Sequence, residues 1–136
     1  MTVENPPPVK IAEILHSARR IAVVGMSKKP ERPSNSVASY LIERGYEVLP
    51  VNPVEEEILG RKSYKSLSEI EGKVDIVDVF RRSDQTDPII DEAIRIGTDV
   101  IWLQEGVVNE PGAERARQAG IEVLQDICIA KELRKL

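Results

Sequence analysis

Apolar and polar positions along the chain switch repeatedly between two patterns, and each switch marks an element. From Val9 to Ala18 (VKIAEILHSA), Ile11, Ile14 and Leu15 fall at helical spacing and predict a short amphipathic helix. Arg20–Gly25 (RIAVVG) is an unbroken apolar run closed by glycine, the pattern of a strand buried on both faces. Met26–Ser34 is polar and broken by prolines, hence a loop. Ser34–Arg44 returns to helical phase through Val37, Leu41 and Ile42, and Gly45 stops it.

The unit then repeats. Glu47–Val51 (EVLPV) reads as a second strand ending in Asn52-Pro53, and Ile58–Tyr64 as a short excursion turning at Gly60. Ser66-Leu67-Ser68-Glu69 resembles a capping box and predicts a brief helix over Ser66–Ile70. Asp75–Phe80 (DIVDVF) is strand three. Ser83–Ile96 is a helix, with Ser83 or Asp84 as its N-cap and Gly97 as its stop. Asp99–Leu103 (DVIWL) is strand four, Glu110–Ala119 a helix with Pro111 in its first turn, Ile121–Leu124 strand five and Ile129–Leu136 a last helix.

Strands alternating with helices require parallel crossovers. The expected fold is therefore α/β, a single doubly wound parallel five-stranded sheet with strand order 3-2-1-4-5. Residues 1–8 read as a flexible or extended N-terminal arm and 9–136 as the domain. In such sheets ligands sit beyond the carboxyl ends of the strands, where the winding reverses, here expected between strands one and four. That rule selects Gly25–Pro33, Asn52–Pro53, Phe80–Arg82 and Gln104–Gly106.

Composition narrows the ligand. The 136 residues suffice for one ordinary domain, and 41% apolar residues suffice for a core. Aromatics are only 4% and the net charge is −4, so neither base stacking nor a broad nucleic-acid surface is expected. The cations are local, however: Lys28, Lys29 and Arg32 share one loop, and Arg81 and Arg82 another. An acidic protein with two small basic clusters suits a compact anionic ligand. A single cysteine, Cys128, excludes an internal disulfide. The first nine residues hold three prolines and no signal-like apolar core, and no apolar run approaches the ~20 residues of a membrane span. The expected setting is cytoplasmic.

The first loop is a partial phosphate signal. Gly25-Met26-Ser27-Lys28-Lys29-Pro30 lacks the later glycines of a dinucleotide fingerprint, although the backbone N–H groups of Met26 and Ser27 and the following helix start still suit an anion. Strand two ends in Asn52-Pro53 instead of a ribose-binding acid, and Glu55–Glu57 beyond the proline read as a solvated turn. NAD is disfavoured, and the Walker A pattern is missing. No spacing of His, Cys and carboxylates suggests a metal site.

The ordered segments VVGMSKKPERPSNSVASYLIERGYEVLPVNP, EILGRKSYKSL, VDIVDVFRR, VIWLQEGVVNE and GIEVLQDICI closely resemble the small stand-alone CoA-binding domain proteins. These are similar in fold to the N-terminal CoA-binding domain of the succinyl-CoA synthetase α subunit. The resemblance runs over roughly Ile11–Lys131. It implies a Rossmann-like fold that holds coenzyme A. It further implies phosphate contacts from the first loop, carried onto Gly25, Met26, Ser27, Lys28, Lys29 and Arg32. Asn52 and Pro53 would line the adenine side, with Phe80 and Arg81 after strand three and Leu103, Gln104 and Glu105 after strand four. This chain departs from the synthetase in having Met26 where threonine stands and glutamates where a lysine follows strand two. It also has Ile127 where the small proteins tend to be basic.

The remaining reactive residues favour structural roles. His16 lies on the first helix, away from the expected site. Cys128 has no histidine partner and reads as a buried thiol. Ser34 and Ser36 read as cap and first-turn residues, and Trp102 as core. Asp78, inside strand three, calls for a partner, either a loop backbone or a ligand hydroxyl, and the structural role is favoured. The resulting expectation is non-covalent binding of CoA or an acyl-CoA, with no evident catalytic machinery, no nucleic acid and no membrane. A homodimer is compatible with it. The alternatives are a CoA-dependent ligase or transferase subunit that needs a partner chain, and a binder of NAD or another nucleotide.

Overall fold

The computed structural model describes residues 4–136. Helix α1 (Pro8–Ser17) precedes β1 (Arg20–Val24), α2 (Pro33–Glu43) and β2 (Glu47–Val51). A small hairpin, β3 (Glu57–Ile58) and β4 (Arg61–Lys62), leads to β5 (Ile76–Val79), α3 (Asp87–Ile96) and β6 (Val100–Leu103). Helix α4 (Glu110–Gln118), β7 (Glu122–Leu124) and α5 (Ile129–Arg134) complete the chain. Of the expected arm, residues 1–3 lie outside the described residues. Asn5 exchanges two hydrogen bonds with the backbone of Gln125, at 2.9 and 2.8 Å, and Arg117 donates to the carbonyl of Glu4.

Five strands form one parallel sheet in the order β2-β1-β5-β6-β7. Counting only these five in chain order gives 2-1-3-4-5, so the expected order 3-2-1-4-5 is corrected. Pro50 supplies the reason. It has no N–H to give to a ladder, which confines it to an edge. The outer side of β2 is occupied by Tyr64, whose N–H donates to the Pro50 carbonyl at 2.9 Å and whose carbonyl accepts from Asn52 at 2.8 Å. Strand β5 is buried at every position, as a central strand should be. The winding therefore reverses between β1 and β5, and not beside the fourth strand.

Alternation along the strands feeds two cores. Ile21, Val23, Ile76, Val100 and Trp102 face α1, α2 and α5. Ala22, Val24, Val77, Val79, Ile101 and Leu103 face α3 and α4. Trp102 is fully buried and donates its indole N–H to the Ile127 carbonyl at 2.8 Å, which anchors the entry to α5. Asp75 opens the sheet: one carboxylate oxygen accepts from the N–H groups of Arg19 and Arg20 at 2.8 and 2.9 Å.

Three local expectations shift. The excursion is the hairpin β3–β4, turning on Leu59 and Gly60 at φ of 53° and 73°, the left-handed pair a tight hairpin demands. The capping-box segment makes only a 3₁₀ turn over Leu67–Glu69; Glu69 accepts from the N–H of Lys65, and Ser66 caps nothing. Ser83–Ile96 is split into a 3₁₀ turn, Ser83–Gln85, and α3, so neither Ser83 nor Asp84 caps the helix. Pro88 sits in the first turn of α3, where a missing N–H costs nothing, and it disfavours helix before it. Asp78 is also corrected: it is fully buried between Val23 and Trp102, and among the described residues neither carboxyl oxygen has a hydrogen-bond partner.

Candidate functional site

The carboxyl ends of β1 and β5 meet almost edge to edge. Gly25 follows β1 at φ +80°, and its N–H donates to Val51 of β2 at 3.1 Å. A Cβ at this position would lie 2.3 Å from the Phe80 carbonyl oxygen and 2.9 Å from Arg81 Cδ. The glycine predicted from the end of the apolar run is thus required by both backbone conformation and space. It lets the first loop lie against the Phe80–Arg81 turn.

Two clefts open on either side of the Gly25–Lys29 ridge. The larger, about 710 Å³, is walled by Lys29, Arg32, Val37, Phe80, Val107 and Cys128. The smaller, about 390 Å³, is walled by Lys28, Asn52, Pro53, Val54 and Glu55. Both include Gly25, Ser27, Lys29 and Arg81. A third cleft of about 350 Å³ lies at the opposite ends of the strands, where Asp75, Asp99 and Glu122 oppose an anionic ligand.

Among the described residues, Lys29, Arg32 and Arg81 make no ion pair; Arg81 has only a 3.3 Å bond to the neutral Gln85 side chain. Arg82 pairs with Asp84 at 2.8 Å on the exposed outer rim, so Arg81 is the arginine between the clefts. Lys28 pairs with Glu55 at 3.2 Å. Glu105 pairs with Lys131 at 3.0 Å, and that hydrogen bond raises the lysine's pKa.

The loop's backbone is committed differently from expectation. The Ser27 N–H donates to Ser34 Oγ at 2.9 Å, and the Ser27 carbonyl accepts from Asn35 at 2.9 Å. Ser27 Oγ in turn accepts from the Lys29 N–H at 3.1 Å. In this arrangement the Ser27 N–H is already bonded, so of the two backbone donors expected to meet a phosphate it is the one committed within the loop. Ser34 and Asn35, buried at the start of α2, brace the loop; the polar pair after Pro33 was their only signal in the sequence. Met26 is fully buried, its side chain in the core under α2, so only its backbone borders the cleft.

After β2, Asn52 is a clasp. Its Oδ1 accepts from the N–H groups of Val54 and Glu55 at 2.8 and 3.1 Å, and its Nδ2 donates to the Met26 carbonyl at 2.9 Å. The Asn-Pro pair thus builds a side-chain-closed turn and ties it to the first loop. Glu55 corrects the solvated-turn reading: its side chain is 20% exposed and faces the smaller cleft. Asn52→Asp keeps the acceptor and loses the donor to Met26. It is expected to weaken ligand binding by about tenfold or more, because a lost hydrogen bond of ~1 kcal/mol is joined by a new negative charge in the cleft. Calorimetry and melting together check this, since the melting temperature should move by only a few degrees.

After β6 the expected trio divides. Leu103 faces the α3–α4 core, fully buried, and borders neither cleft, because alternation turns it away. Gln104 borders the larger cleft, but its Oε1 accepts from the Ile129 N–H at 3.1 Å and so starts α5. Glu105 stands on the rim. Cys128, 8% exposed, lines the same cleft from the N-cap of α5. His16 is exposed on α1, far from both clefts.

Residues 19–134 match the CoA binding domain family. The uncharacterized protein YneT of Bacillus subtilis is 43% identical over 127 residues, which cover 93% of this chain and 94% of that one. Subunit alpha of the ADP-forming acetate–CoA ligase I from Pyrococcus furiosus is 32% identical over 128 residues. That alignment covers 82% of this chain but only 28% of the ligase subunit. A solved structure of a hypothetical protein from Pyrococcus horikoshii OT3 superposes with a TM-score of 0.95 at 38% identity, covering 100% of this chain and 96% of its own. Taken with the parallel sheet and the cationic ridge at its switch point, these matches establish that the chain belongs to the CoA-binding domain family.

Proposed function

We propose that this chain binds coenzyme A or an acyl-CoA non-covalently across the carboxyl ends of β1, β2, β5 and β6. The observation that carries this reading is the pair Lys29 and Arg81 bordering two clefts of different character, with Arg32 on the wall of the larger one, none of the three ion-paired among the described residues. CoA has a charged pyrophosphate between a flat adenosine and a long neutral pantetheine arm. The Asn52–Val54 turn suits the first, and the Val37–Phe80–Val107 wall suits the second. Lysine and arginine supply charge-assisted hydrogen bonds to the phosphates between them.

Calorimetry with CoA, dephospho-CoA, NADH and ATP tests the assignment. CoA is expected to bind tightest, and binding no tighter than NADH overturns the reading. Arg81→Ala is expected to weaken CoA about 10- to 100-fold, the worth of a hydrogen bond to a charged group, roughly 1.5–3 kcal/mol. Affinity unchanged in that variant would remove Arg81 from the site.

A second reading follows from the ligase relative, of which the chain matches 28%. There the same fold is one part of a larger subunit. In this reading the chain supplies the CoA site and a partner chain supplies the chemistry. Turnover of CoA and a carboxylic acid by the chain alone, with no partner, excludes it; co-purification with a ligase-like chain supports it.

A further inference from the structure

We propose that Glu55 competes with ligand phosphate for Lys28, and thereby limits how strongly this site prefers a ribose bearing a 3′-phosphate. The inference rests on the CoA reading above and goes beyond it to specificity. The two groups meet at 3.2 Å across the mouth of the smaller cleft. They are held unequally. The Lys28 side chain is 66% exposed and free to swing, whereas the Glu55 side chain is 20% exposed. The Asn52 side chain fixes the backbone of Glu55 through Val54 and Glu55 N–H bonds. The same side chain binds the first loop at Met26, so the pair spans two braced loops.

A phosphate entering this cleft needs a cation, and Lys28 is the lysine that borders it without bordering the larger cleft. To serve the phosphate, Lys28 must release Glu55, and the carboxylate then stays behind as a like charge beside the phosphate. A ribose with a free 3′-hydroxyl meets neither cost, since the hydroxyl donates to the carboxylate. Glu55 therefore acts against the 3′-phosphate and tolerates the ligand that lacks it.

The test is the ratio of CoA to dephospho-CoA affinity in the full chain, by calorimetry. Glu55→Gln keeps the side chain's size and removes its charge. The ratio is expected to rise about tenfold, from relief of one like-charge contact together with the ion pair that no longer has to be broken. In a Lys28→Ala background the same change should raise it by less, because the Glu55–Lys28 ion pair no longer has to be broken and only the like charge beside the phosphate is relieved. A ratio unmoved by Glu55→Gln, in protein that binds both ligands, overturns this proposal and leaves the CoA reading standing. An equal rise in both backgrounds overturns competition for Lys28. Wild-type protein that binds neither ligand overturns the parent reading and this one with it.

Discussion

Gly25→Ala is expected to lower the stability of the fold by about 2–5 kcal/mol and to abolish measurable ligand binding. Two costs add. A side chain at φ +80° carries the left-handed penalty of about 1–2 kcal/mol. The new methyl must also be accommodated 2.3 Å from the Phe80 carbonyl oxygen, an overpacking that costs about 1–3 kcal/mol. The backbone has little room to yield. Gly25 N–H is bonded to Val51, and Phe80 N–H to Val24 at 2.9 Å, so both sides of the contact belong to sheet ladders. Any opening separates the first loop from Arg81, which both clefts share. Gly45→Ala is the control. Gly45 has φ +98° but nothing within 4 Å of a Cβ, so it should show the conformational cost alone. Urea unfolding of the two variants distinguishes them; Gly25→Ala no less stable than Gly45→Ala would refute the steric argument.

The same glycine shows what could be read from the chain and what could not. Its place at the end of a continuous apolar run marked both the strand and the start of the first loop. The parallel α/β class followed from alternation, because every buried strand but the second was followed by a longer segment in helical phase. Strand order did not follow, since helices of similar length can cross to either side. Yet Pro50 carried the missing information: a residue with no N–H inside an apolar strand belongs on an edge. Within the site, cationic residues were legible by type and position after strands. Their partners were not. Lys28 and Lys29 are adjacent in sequence, but one meets Glu55 and the other makes no ion pair among the described residues. Nothing in the local sequence encodes that, because the distinction is made by Asn52 folding the second loop toward the first. Leu103 shows the opposite error. It lies at the right end of the right strand, and its parity sends it into the wrong layer.

Asp78→Val is expected to stabilise the protein by about 2–4 kcal/mol at pH 7, because it removes a buried carboxyl group that has no hydrogen-bond partner among the described residues. The β-branched replacement suits a central strand and extends the apolar face of Val23 and Trp102, its neighbours in register. The effect has a pH signature. Burial raises the Asp78 pKa well above its ordinary value, so the folded chain keeps the proton that the unfolded chain has released. With more protons bound in the folded state, wild-type stability falls as pH rises. The loss begins near the unfolded carboxyl's ordinary pKa of ~3.9 and continues up to the raised folded value, at up to ~1.4 kcal/mol per pH unit. Asp78→Val lacks this term. The stability gap between variant and wild type should therefore be smallest near pH 4 and widen toward neutrality, as read from urea midpoints across that range. A gap independent of pH would mean that Asp78 ionises in the folded protein, and that some group outside its present shell of Val23 and Trp102 reaches it. The larger cleft lies one strand step above, bordered by Phe80 and Gln104 on the same face. Measuring the gap with CoA present and absent therefore tests whether a ligand supplies that contact. If Asp78 is only a buried cost, CoA should raise the midpoints of both proteins equally.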